Sequence, residues 1–228
     1  AKVMAQYSGR AAFTIHKFIY QLSRDALGRL HYKVRAHRGK EAVIIVDEAS
    51  MIHDRGGSQQ GGLLQDLIEF KNQGKKCQLI LVGDTAQLPP VHTMVSPAMD
   101  LDYIRRAHQH EAHKVELQQV MRQQAHSEIL HNATALRENI RTENLSLPEW
   151  QCDQEVIKLQ EGYQVEESLQ DAYSSYGAQG CLIITRSNKR AVMYNQQVRR
   201  RILGQDDELS AGDLLMIVKN NYFWLPPG

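Results

Sequence analysis

Two short apolar runs, each ending in acidic residues, constrain this chain more than any other feature. Ala42 to Val46 (AVIIV) runs into Asp47-Glu48, and Leu79 to Val82 (LILV) runs into Gly83-Asp84. Both are rich in β-formers, too short for helices, and bounded by polar or turn residues. Continuous apolar runs of this kind read as strands buried on both faces, as in a parallel sheet. Between them, Gly62 to Asn72 places Leu63, Leu64, Leu67 and Ile68 at helical spacing. Strand, helix and strand in that order predict a parallel β–α–β unit. In an open α/β sheet, ligands bind beyond the carboxyl ends of the strands. The Asp47-Glu48 pair and the Gly83-Asp84 turn are therefore expected side by side at the binding edge.

Other elements are set by local signals. Thr14 is a helix cap for Ile15 to about Arg24. Ser96 to His108 and Gln124 to Arg141 read as helices. Thr142 to Asp153 is polar, contains Pro148 and lacks periodicity, so it reads as a linker. Beyond it, strands are expected at Val156–Leu159, Cys181–Thr185 and Asp213–Lys219, with helices at Glu166–Tyr176 and Asn188–Leu203. The predicted organisation is a first α/β domain over 1–141, a linker over 142–153 and the start of a second domain over 154–228. The Gly- and Gln-rich stretch Asp54 to Gly62 reads as a mobile loop. The chain begins without Met and ends at Pro226-Pro227-Gly228, so both ends are expected to be cuts through a longer protein.

Composition excludes several classes. With 42% hydrophobic and 23% charged residues, a soluble globular protein is expected. The net charge of +1 argues against a uniformly basic nucleic-acid coat, leaving local patches such as Arg186, Lys189, Arg190 and Arg199 to Arg201. Cys77, Cys152 and Cys181 stand far apart with no CxxC spacing, which fits a reduced, cytoplasmic setting. His108, His110 and His113 cluster, but without a zinc-type motif. No apolar run reaches the length of a membrane span, and AKVMAQY lacks the apolar core of a signal peptide.

The chemistry concentrates at Asp47 and Glu48. Adjacent carboxylates after a buried strand suit Mg-nucleotide hydrolysis. The first can hold Mg²⁺ through water, because that ion keeps most of its hydration shell. The second can orient and deprotonate an attacking water. The plainer reading, a solvated acidic pair at a strand end, applies to most such pairs. The four β-rich residues before this pair and the Ala49-Ser50 after it favour the functional one.

The strings Val46-Asp47-Glu48-Ala49-Ser50 and Leu81-Val82-Gly83-Asp84-Thr85-Ala86-Gln87-Leu88-Pro89-Pro90-Val91 together resemble motifs II and III of superfamily-1 helicases. Leu117-Gln118-Gln119-Val120-Met121-Arg122-Gln123 resembles motif IV, and Thr14-Ile15-His16 resembles the segment after motif Ia in RecD-like helicases. Ile183 to Arg190 resembles the opening strand and helix of the second motor domain. The resemblance spans nearly the whole chain and is weakest between Thr142 and Gly180. It implies a RecA-like parallel sheet flanked by helices, of the P-loop NTPase type, followed by the start of a second RecA-like domain that leads towards an inserted small β-barrel. It further implies ATP and Mg²⁺ as cofactors, single-stranded DNA as partner, and repair or recombination subunits as further partners. Movement would be 5′ to 3′. Asp47 would place Mg²⁺, Glu48 would activate water, Gln87 would sense the γ-phosphate, and Arg122 would neutralise charge on the transferred phosphoryl group. Thr14, His16, Arg186 and Lys189 would touch DNA.

One departure matters. No GxxxxGKS or GxxxxGKT loop occurs in these residues, and motifs Ia, V and VI are also absent. The fragment alone is therefore expected to be inactive towards ATP. Two alternatives remain beside the motor: an ATP-independent DNA-binding module with a degenerate helicase fold, and a Mg²⁺-dependent phosphohydrolase or nuclease using Asp47, Glu48 and Asp84.

Overall fold

In the computed structural model, residues 1–53, 62–109, 111–120 and 127–215 are described. The chain divides into two compact units, Ala1–Met121 with Ile140–Leu145, and Arg122–Asn139 with Ser146–Gly228.

The first unit opens with α1 (Lys2–Ser8) and α2 (Ile15–Ile19). Thr14 caps α2 as expected, its Oγ1 accepting from Lys17 N at 3.3 Å. The helix does not continue to Arg24. It stops at Ile19, and β1 (Tyr20–Arg24) pairs antiparallel with β2 (Leu30–Val34), Tyr20 opposite Val34. The turn explains the difference. Asp25 Oδ1 accepts from Leu27 N at 2.9 Å and Arg29 N at 2.8 Å, and Gly28 takes φ +76°. Once this Asx-type turn closes, Tyr20, Leu22, Tyr32 and Val34 gain cross-strand partners that a lone helix would lack.

Then come β3 (Val43–Val46), α3 (Leu63–Gln73) and β4 (Gln78–Leu81). β3 and β4 pair in parallel, Val43 with Gln78 through Val46 with Leu81, so the β–α–β unit read from sequence is present. α3 buries Leu64, Leu67, Ile68 and Phe70, which pack with Ile44 and Val46. Its Asp66 carboxylate is buried too, and accepts from the Tyr20 hydroxyl at 2.6 Å. The expectation of strands buried on both faces fails. Val43 and Ile45 are 51% and 58% exposed, and Ile80 and Val82 are likewise open. Among the described residues the sheet has only these two strands, and α3 covers one face. The RecA-like sheet is thus seen only in part, within a mixed α/β unit.

The predicted helix from Ser96 is broken near its start. Pro97–Met99 forms a 3₁₀ turn, and α4 (Leu101–His108) begins again after Asp100, whose carboxylate caps it from Tyr103 N at 2.9 Å.

The second unit holds α5 (Glu128–Arg141, up to Asn139), α6 (Gly162–Gly180), α7 (Asn188–Gln197) and a π-helical turn, Val198–Ile202. α6 extends beyond its predicted limits and kinks at Gly177, where φ is 69°. The strands expected at Val156–Leu159 and Cys181–Thr185 do not form. Ile157, Leu182 and Ile184 are 75%, 85% and 87% exposed, and no neighbouring chain among the described residues satisfies their backbone. Asp213 to Leu215 is not a strand, and the rest of that predicted element lies outside the described residues.

Polar contacts hold the start of α5 to residues 151–156. The Glu128 carboxylate accepts from four successive backbone N–H groups: Asp153 (3.1 Å), Gln154 (2.8 Å), Glu155 (3.1 Å) and Val156 (3.0 Å). These donors hold its carboxyl below the usual range. Asn132 exchanges two hydrogen bonds with the Gln151 backbone, at 2.8 and 2.9 Å. The end of the predicted linker is therefore fastened to a helix. Among the described residues, no helix is long and apolar enough to cross a membrane.

Candidate nucleotide site

The parallel register places the carboxyl ends of β3 and β4 together. Val82 N donates to Val46 O at 2.8 Å; the chain then leaves β3 through Asp47 and Glu48 and returns so that Ala49 N donates to Val82 O, also at 2.8 Å. This reversal needs a left-handed residue, and Glu48 supplies it with φ 56° and ψ 38°. A side chain that accepts αL backbone does so at a cost, one that Glu41, Lys76, His92, Gln109 and Glu143 also bear. Asp47 Oδ1 accepts from Glu48 N at 3.0 Å. Both carboxylates are exposed.

The turn is held from below. Ser96, 2% exposed, sets its Oγ 2.6 Å from Ile52 O and 3.0 Å from Ala49 O, while accepting from Ala98 N at 3.2 Å. Gly83 lies so close to the same turn that a Cβ there would fall 2.7 Å from Ser50 N and 2.8 Å from Met99 Sδ. Sequence reasoning did not single out these supports. The Ser96-Pro97 pair was a readable cap signal, since Pro is favoured just inside a helix start. The need for Gly83 was invisible, because it arises from a contact between separate segments.

After β4 the chain turns again. Asp84 Oδ1 accepts from Ala86 N at 2.9 Å, and Asp84 O accepts from Gln87 N at 3.1 Å. This carboxylate shapes the Gln87 loop. Gln87, Thr85, Ser50, Ser96 and Met99 line one small pocket together with Pro89, Met94 and Val95. Asp47 and Glu48 thus stand at the tip of β3, and Gln87 follows the neighbouring tip and shares a pocket with their turn. Arg122 lies outside the described residues.

The predicted DNA contacts are divided between the units. Thr14 and His16 sit at the start of α2, with the His16 ring 5.5 Å from that of Tyr20. Arg186 and Lys189 flank Ser187, which caps α7 from Arg190 N at 3.3 Å. All but Thr14 carry charge or a titratable ring, and all four are exposed. Two members of the patch suggested at Arg199 to Arg201 are otherwise engaged. Arg199 donates to Asp207 O and Glu208 O, each at 2.7 Å, and Arg201 pairs with Glu166 at 2.7 Å.

The donor set fits a hydrated Mg²⁺ and not a fully protein-held metal. Asp47 presents an exposed carboxylate beside a second one, and Mg²⁺ needs only one or two such ligands besides water and phosphate. Among the described residues, no three His, Cys, Asp or Glu side chains gather to hold a metal.

A parallel β–α–β unit with adjacent carboxylates at its carboxyl edge is the arrangement at which open α/β sheets bind ligands. An AAA-domain family model matches residues 1–160, and the chain belongs to that family. Family membership makes the activity nucleotide-dependent. No curated protein matches the chain at a significant level.

Proposed function

We propose that the chain is part of an ATP-dependent DNA helicase that couples hydrolysis to movement along single-stranded DNA in the 5′ to 3′ direction. The observation that carries this reading is the pair Asp47 and Glu48 at the tip of β3, with Gln87 on the turn that follows the adjoining β4. Asp47 would hold Mg²⁺ through water, and the bound ion neutralises charge on the phosphates. Glu48 orients the attacking water and takes its proton. Gln87 reads whether the γ-phosphate is present, and Arg122 neutralises charge on the transferred group. Thr14, His16, Arg186 and Lys189 contact the strand, two in each unit, so that changes at the nucleotide alter the grip on DNA.

Glu48→Gln in the full-length protein tests this. It is expected to lower DNA-stimulated ATPase by at least about 100-fold, the usual weight of a general base, with ATP affinity retained. Unchanged turnover would remove Glu48 from its role. Wild-type protein that binds single-stranded DNA without hydrolysing ATP would instead identify a binding module.

A further inference from the structure

Ser50 is 3% exposed, and its hydroxyl has no hydrogen-bond partner among the described residues. An orphaned buried hydroxyl costs free energy that alanine would avoid, so its presence calls for a partner supplied in another state. Ala49 O already accepts from Ile52 N at 3.1 Å, and Ile52 O lies 2.6 Å from Ser96 Oγ. Ser50 lines the pocket that also holds Thr85 and Gln87, about 10 Å³ in volume, which is close to the space one water needs. Its backbone is fixed against the start of the Gln87 loop, because Gly83 abuts Ser50 N without room for a Cβ.

We propose that Ser50 is a positioning residue for Gln87: its hydroxyl, through one water in the shared pocket, holds the Gln87 side chain in the orientation that the nucleotide site requires. This rests on the hydrolytic reading of the site. Ser50 touches neither nucleotide nor metal in this scheme. It acts on turnover through Gln87 and links the turn carrying Glu48 to the loop that follows β4. A hydroxyl that waits for its partner also makes the link conditional, formed when the loop closes and released when it opens.

The test is a double-mutant cycle in the full-length protein, with Ser50→Ala, Gln87→Ala and the pair, beside Glu48→Gln as reference. Ser50→Ala is expected to lower kcat about tenfold, within the range of couplings between neighbouring residues. KM for ATP should stay within about twofold, and the melting temperature should not fall. In the Gln87→Ala background the same substitution should change kcat by less than about twofold. Full activity in Ser50→Ala while Glu48→Gln is inactive would overturn this inference alone. So would equal losses in both backgrounds, or a loss that tracks a lowered melting temperature. An active Glu48→Gln protein, or an inactive wild type, would overturn the hydrolytic reading and this inference with it.

Discussion

Replacing Glu48 by glycine should stabilise the protein relative to replacing it by alanine, although both remove the carboxylate. Glu48 adopts φ 56° and ψ 38°, in the left-handed region. There the Cβ of any L-residue crowds the following carbonyl, at about 1–2 kcal/mol. Glu48→Ala keeps that Cβ and the strain. Glu48→Gly removes both but frees the unfolded chain, which offsets roughly 0.4–1 kcal/mol. The two variants keep the same backbone contacts: Glu48 N to Asp47 Oδ1 at 3.0 Å, and Met51 N to Glu48 O at 3.1 Å. Their difference therefore isolates the Cβ. The balance favours glycine by about 1 kcal/mol, or about 2–4 °C in melting temperature for a chain of this size. Differential scanning calorimetry of the two variants, in one buffer, measures it. In the full-length protein both should be equally inactive, which separates strain from chemistry. If Glu48→Gly melts at or below Glu48→Ala, the reasoning that the Cβ strains this turn falls.

Two further outcomes concern buried polar contacts. Tyr20→Phe removes the hydroxyl that donates to Asp66 at 2.6 Å, leaving that buried carboxylate short of a partner, and should cost about 1–3 kcal/mol by urea denaturation. Burial, then the Asp66 carboxylate, raise the Tyr20 pKa well above its ordinary value, so the wild type keeps this contribution below about pH 10 and loses it as pH rises further. The gap between wild type and variant should therefore shrink in alkali; a gap independent of pH would refute the assignment. Glu128→Gln replaces a pure acceptor, facing four N–H donors, with a group that must aim its own donors elsewhere, and amide exchange at residues 153–156 should accelerate. The lowered Glu128 pKa gives the sign: its contribution is present above the unfolded carboxyl value of about 4.3 and fades as pH falls through the folded one, so the variant should show less acid sensitivity over that window. Equal exchange rates in the two proteins would refute the reading of this contact as a clasp.

The elements that could be read from the sequence are those whose signal is local. β3 and β4 are short apolar runs, α3 carries helical spacing, and their order predicts the parallel pairing that is found. Thr14 announces a cap by residue type. What failed depended on distant partners. Tyr20 to Arg24 follows a good helix start, and only the turn at Asp25 with the pairing to β2 makes it a strand. Leu182 to Thr185 has strand composition, yet composition cannot supply a neighbouring chain to hydrogen-bond with. The candidate site divides in the same way. Asp47, Glu48 and Gln87 could be proposed from the sequence because they sit in short contiguous strings. Ser96, Gly83 and Ser50 were not, because their importance lies in what they touch from other segments.

That division follows from how the site is built. A strained turn persists only where its surroundings determine it more strongly than the strain opposes it. Around Glu48 the restraints come from four places: the Asp47 carboxylate on its own N–H, the Val82 carbonyl on Ala49 N, Ser96 on the Ala49 and Ile52 carbonyls, and the bare backbone of Gly83 against Ser50. Three of the four come from residues beyond Lys75 in sequence, after β4. The turn that follows β3 therefore takes this geometry only together with β4 and the 3₁₀ turn at Pro97. The restraints fix the backbone from which the two side chains start, and under the proposed hydrolytic reading that fixed start would lessen the reorganisation a reacting phosphate demands.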